Sequence, residues 1–111
     1  MTVVAARLED PTGYGRIIRD ENGGLRAIVE QRDADEKTRL IQEVNSGIYW
    51  FEAAFLLDAL NKLGTDNAQG EYYLTDTVAI AVSEHRPAGI YRAESPDVIL
   101  GANSRKELAR L

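Results

Sequence analysis

The stretch Asn67-Ala-Gln-Gly-Glu-Tyr-Tyr-Leu-Thr-Asp76 sets amide, carboxylate, phenol and hydroxyl groups beside a flexible glycine, just ahead of an apolar run from Thr77 to Val82. Tyr72 and Tyr73 carry broad faces tipped with hydroxyls, which suits a polyhydroxylated ligand. Thr75 or Asp76 stands where a helix N-cap belongs, so the plainer reading of the same stretch is a turn into a capped helix. Other residues add groups of the same kind. Gly13 and Gly15 bracket Tyr14 at the start of a strand, where a missing Cβ lets a ligand approach the backbone or simply permits a turn. Glu30 follows Ile28 and Val29, so its carboxylate either accepts from sugar hydroxyls or faces solvent. Asn45 can donate and accept, which matches a hydroxyl or an acetamido group, with Gly47 leaving room beside it; it also fits a satisfied amide at a bulge. Asn103 precedes Ser104 at a strand-to-helix turn, where it is either a turn residue or an oxygen ligand for Mg²⁺, a hard ion that uses few protein groups.

Other chemistries are excluded. The chain has no cysteine and a single histidine, His85, so it offers no disulfide, no thiol nucleophile and no second imidazole for zinc. His85 lies near the expected end of a helix and takes no catalytic role. No Ser/His/Asp arrangement stands out, and glycine spacing supplies neither a P-loop nor a dinucleotide fingerprint. With 28% charged residues and a formal net charge of -5, the chain is acidic, which argues against nonspecific binding to nucleic acid or anionic membranes. No stretch approaches a membrane span or a signal-peptide core, and the absence of cysteine suits a reducing cytoplasm.

These groups need elements to position them. At 111 residues and 44% hydrophobic content the chain fits one domain. Thr2 to Leu8 reads as a core strand. Tyr14 to Arg19 and Leu25 to Gln31 read as a hairpin around the turn residues Asp20 to Gly24. Asp33 with Glu36 three residues on reads as a capping box for a short surface helix. Glu43 to Phe51 has strong strand preference, broken at Asn45-Ser-Gly47, which predicts a bulge or a ligand contact. Glu52 to Leu63 predicts a helix whose stripe of Ala53, Leu56, Leu57, Leu60 and Leu63 packs inward, with Gly64 as its stop. A helix from the Asp76 region to about Glu84, a strand from Ala88 to Ala93, and a last helix opened by Ser104-Arg-Lys-Glu107 complete the pattern. Strands and helices intermix over long connections, so the expected class is α/β with a mixed sheet; were the sheet cut from another half, its unpaired edge would be open to self-association or a partner.

Five segments together resemble the bacterial N-acetylglucosamine-1-phosphate uridylyltransferases: Gly13-Tyr-Gly-Arg-Ile-Ile-Arg-Asp20, Ile28-Val-Glu-Gln31, Asn45-Ser-Gly-Ile48, Asn67 to Asp76, and Gly101-Ala-Asn103. The resemblance covers nearly the whole chain and implies part of a Rossmann-like nucleotide-diphospho-sugar transferase domain. It also implies that Gly15 contacts a sugar through its backbone, that Glu30 and Asn45 bind hydroxyl and acetamido groups, and that Tyr73 and Thr75 close the pocket. Asn103 would share a Mg²⁺ cofactor with an aspartate supplied by another part of the domain. The ligands would be N-acetylglucosamine 1-phosphate, UTP and UDP-N-acetylglucosamine. Ser46 stands where the family usually has threonine, and Ala102 where it has valine. The family's glycine-rich nucleotide-binding segment and its left-handed β-helix domain have no counterpart in these 111 residues. The resemblance thus implies the sugar-binding half of the domain, incapable of turning over UTP alone.

Overall fold

The computed structural model describes residues 1–64 and 69–99. Five strands form one sheet in the order β3-β2-β4-β1-β5. They are β1 (Thr2–Arg7), β2 (Arg16–Arg19), β3 (Leu25–Val29), β4 (Glu43–Trp50) and β5 (Gly89–Arg92). β1 runs antiparallel to β4 and parallel to β5, so the sheet is mixed and the α/β class holds. Three short helices accompany it: α1 (Glu36–Arg39), α2 (Ala53–Leu60) and α3 (Asp76–Ser83).

The hairpin forms as its turn residues require. Asp20 accepts from the backbone N–H groups of Asn22 and Gly24 at 2.9 and 2.8 Å, closing the loop between β2 and β3. Small and β-branched side chains let β1 sit at the heart of the fold, where Val3, Ala5 and Ala6 are fully buried. Val3 and Ala5 join Ile17, Leu25, Ile28 and Val78 in one cluster, which seats α3 on the sheet. A second cluster of Phe55, Ala59 and Ala81 locks α2 to α3.

Several expectations are corrected. The cap of α1 is Asp35, whose carboxylate accepts from Thr38 N–H at 2.7 Å; Asp33 instead ends a 3-10 turn over Gln31–Asp33. Helix α2 is shorter than its apolar stretch, ending at Leu60 with Asn61 as C-cap, so Gly64 does not stop it. Its buried side chains are Phe55 and Ala59, while Leu57 is 66% and Leu60 46% exposed. The leucine stripe is therefore not the packed face. Phe55 wins that place because it stacks on Phe51 and lies 4.8 Å beneath the Arg86 guanidinium. Neither Thr75 nor Asp76 caps α3 with its side chain. The helix opens on a tight turn instead, with Asp76, Thr77 and Val78 N–H groups donating three residues back. The helix expected from Ser104 lies outside the described residues.

Two polar features hold the periphery. Arg16 is only 1% exposed; its guanidinium donates to the backbone carbonyls of Tyr14 and Arg39, tying the segment after β3 to the start of β2. Glu43 on β4 takes a two-pronged bond from Arg19 at 2.7 and 2.8 Å. That contact holds the Glu43 carboxyl below its ordinary value of 4.5. The ion pair's contribution is thus complete above pH 4.5 and disappears as pH falls through the lower, folded value. Urea unfolding should show stability falling with acid below pH 4.5, and falling less steeply in Glu43→Gln.

His85 follows α3 with φ of 54°, a left-handed conformation normally given to glycine. Its own N–H donates to Val82 O at 3.2 Å, and Arg86 N–H to Ala81 O at 2.8 Å, the paired bonds of a Schellman stop. Replacing His85 by glycine should raise stability by roughly 0.5–1 kcal/mol, measured by thermal or urea unfolding, because the steric penalty outweighs the added chain entropy.

Candidate functional site

Four of the six sequence-predicted residues meet on one patch. Gly15 ends the loop before β2, and Glu30 follows β3, so the hairpin alone brings them together. A Cβ on Gly15 would lie 3.0 Å from Ile28 Cγ2 and 3.3 Å from each Glu30 carboxylate oxygen. Close approach by its neighbours, rather than a positive φ, is what requires glycine here; the turn role falls to Gly13, at φ of 90°. Asn45 joins from β4, its backbone N–H donating to Gly15 O at 2.9 Å. Thr75 joins from the turn before α3, its hydroxyl 3.0 Å from Glu30 Oε1. Thr75 itself has helical backbone angles, φ -60° and ψ -23°, rather than the extended ones of a capping residue, so its hydroxyl does not cap α3.

Asn45 owes its geometry to a defect in the sheet. β1 advances two residues from Val3 to Ala5 while β4 advances four between their partners, Tyr49 and Asn45. The surplus residues bulge out, with Gly47 at φ of 86°. The sequence break at Asn45-Ser-Gly47 is thus a bulge, and its Asn45 Oδ1 accepts from Gly47 N–H at 2.9 Å. The other end of the amide donates to the Tyr49 hydroxyl at 2.7 Å. Burial pushes the Tyr49 phenol up to about 12; the Asn45 bond opposes this and the nearby Glu30 charge adds to it.

Tyr73 lies at the rim. Its hydroxyl takes a 2.6 Å bond from Gln69 Nε2. Desolvation, followed by the charges of Asp33 and Glu30, raises its phenol against the effect of the Gln69 bond. Desolvation and then the Asp33 charge likewise hold the Asp76 carboxyl above its usual range. The patch is therefore acidic and rich in acceptors, with neutral donors at Asn45, Thr75 and Tyr73. Such a mixture suits the hydroxyl and amide groups of a sugar. Tyr49 and Asp33 are neighbours of the site that the residue pattern did not single out: Tyr49 looked like a strand former and Asp33 like a helix cap.

Asn67 and Asn103 lie outside the described residues. Among the described residues, no group of three or more His, Cys, Asp or Glu side chains could hold a metal ion.

Residues 1–96 match the family of nucleotidyl transferases, and the chain belongs to that family. Within it, the chain is 52% identical over 109 residues to the bifunctional protein GlmU of Trichlorobacter lovleyi, a match covering 98% of this chain and 24% of that protein. GlmU of Corynebacterium diphtheriae is 51% identical, over 99% of this chain and 23% of its own length. GlmU of Clostridioides difficile is 47% identical, over 98% and 24%. The chain thus spans about a quarter of the curated relatives it matches. Among the described residues, no helix is long and apolar enough to cross a membrane.

The tight fit of Gly15 yields a direct test. Gly15→Ala should destabilise the fold by about 1–3 kcal/mol in urea unfolding, because Ile28 and the Glu30 carboxylate must both move. The Thr75 amide resonance should shift with them as the Glu30 contact is displaced.

Proposed function

We propose that this chain is the sugar-binding half of a uridylyltransferase domain, one that makes UDP-N-acetylglucosamine and pyrophosphate from UTP and N-acetylglucosamine 1-phosphate. The observation that carries this reading is the convergence of Gly15, Glu30, Asn45 and Thr75 from four separate segments, in a chain about half identical to the GlmU proteins. On this reading the Gly15 backbone lies against the sugar ring. Glu30 Oε2 accepts from a hydroxyl, since Oε1 is already engaged by Thr75. The Asn45 amide contacts a hydroxyl or the acetamido group, and Tyr73 covers the rim.

The reaction is attack by a sugar 1-phosphate oxygen on the α-phosphorus of UTP, with pyrophosphate leaving in line. No protein nucleophile is needed, and catalysis rests on positioning and charge stabilisation. The residues of this chain bind and orient the sugar. Mg²⁺, which Asn103 would help to hold, would offset negative charge on the phosphates. Residues 1–111 include no glycine-rich nucleotide-binding segment, so the chain acts as the sugar half of the domain and does not turn over UTP unaided.

A second reading has its own support. Trp50 is 79% and Tyr91 64% exposed, Leu57 and Leu60 face outward on α2, and among the described residues β5 pairs on one side only. Exposed apolar surface beside an open strand edge suits a chain that self-associates or pairs with a partner. Titration of the ¹⁵N-labelled chain with UDP-N-acetylglucosamine and Mg²⁺ tests the first reading. Saturable shifts at Gly15, Glu30, Asn45 and Thr75, abolished in Glu30→Ala, are expected. A dispersed spectrum that the sugar nucleotide leaves unchanged, in a chain that sediments as an oligomer, would instead favour assembly.

A further inference from the structure

The sugar contacts above leave Tyr49 without a part, although its hydroxyl oxygen lies 2.7 Å from Asn45 Nδ2. The two ends of that amide are not interchangeable. Gly47 N–H lies 2.9 Å from Asn45 Oδ1, and a backbone N–H can only donate, so the atom facing Gly47 must be oxygen. The NH₂ group then faces Tyr49, whose oxygen must accept. One amide hydrogen and one amide lone pair are thereby engaged, leaving one of each for a ligand. The phenol is itself held in place: its ring lies 5.4 Å from that of Phe51, which in turn stacks 6.4 Å from Phe55 on α2. Burial keeps it neutral to about pH 12, so its ability to accept does not change across the physiological range.

We propose that Tyr49 is a positioning residue: its hydroxyl, acting with Gly47 N–H, fixes the Asn45 amide in one orientation before ligand arrives. The ligand part of this inference rests on the reading of Gly15, Glu30, Asn45 and Thr75 as a sugar site. An asparagine held by Gly47 alone can swing its NH₂ away and must be ordered again on binding. Holding it in advance removes that ordering from the binding step.

The test uses Tyr49→Phe, which deletes the hydroxyl and keeps the ring stack. Without ligand, ¹⁵N relaxation of the Asn45 side-chain NH₂ should report an ordered group in the wild type and a mobile one in Tyr49→Phe, with backbone shifts otherwise retained. Equal order in the two proteins overturns the proposal. With UDP-N-acetylglucosamine, Kd should rise about three- to tenfold in Tyr49→Phe, the equivalent of one net hydrogen bond. The same substitution should add nothing in an Asn45→Ala background. An equal loss in both backgrounds would mean that Tyr49 does not act through Asn45. Should Tyr49→Phe fail to fold, a wild-type cross-relaxation contact between the Asn45 NH₂ protons and the Tyr49 ring decides the matter, and its absence overturns the proposal. If the wild type binds no sugar nucleotide while the relaxation difference holds, the sugar-site reading and the ligand role fail together, and the fixed amide remains a feature of the bulge.

Discussion

The mismatch between β1 and β4 is the constraint from which the candidate site derives. Two residues of β1 face a four-residue span of β4, and the surplus has to leave the plane of the sheet. Gly47 makes this feasible by taking a left-handed conformation, and Asn45 ties the excursion off by accepting from Gly47 N–H. On a regular strand, residues 45 and 49 would lie ~13 Å apart. With the strand bulged, the Asn45 amide reaches the Tyr49 hydroxyl, Nδ2 to oxygen 2.7 Å. The same strand keeps its backbone bond to Gly15, so the irregularity is aimed at the end of the hairpin and not away from it.

Around that defect the site is assembled with few spare groups. Gly15 provides room for the Glu30 carboxylate, Glu30 accepts from the Thr75 hydroxyl, and α3 opens on a backbone turn because Thr75 already has helical backbone angles. Arg16, next to Gly15, is buried with backbone carbonyls as its hydrogen-bond acceptors, which fixes the loop before β2 without placing another carboxylate near Glu30. Its two terminal nitrogens anchor backbone, while its Nε is buried without a hydrogen-bond partner. Stability and site are thus served by separate polar groups: the Arg19–Glu43 pair at one end of the sheet, and the Glu30–Thr75–Asn45 patch at the other end of the hairpin.

Local chemistry made part of this legible from residues alone. Asp20 to Gly24 is a turn wherever it occurs, and the polar break at Asn45-Ser-Gly47 in a β-branched and aromatic run reads directly as a bulge. What could not be read was orientation. The stretch that forms α2 is apolar on more than one side, so periodicity could not choose between its leucines and the Phe55–Ala59 face; a stack with Phe51 and the Arg86 cation just after α3 decided it. Asp33 and Asp35 both fit a cap, and the 3-10 turn over Gln31–Asp33 left Asp35 in position. Tyr49 escaped notice because its partnership with Asn45 exists only once the bulge has formed.

The placement of β1 also sets an order of assembly. Thr2 pairs with Trp50 on one side and Gly89 on the other, so the middle of the sheet joins segments remote in the chain. Contacts of that kind form slowly, whereas a hairpin closes within about 1–10 μs. Gly15 and Glu30 are brought together by the β2–β3 hairpin alone. Asn45 is placed when β4 is drawn in, and its bulge acquires meaning only when β1 arrives to impose the register. The candidate patch therefore depends for its register on a strand that contributes none of its side chains.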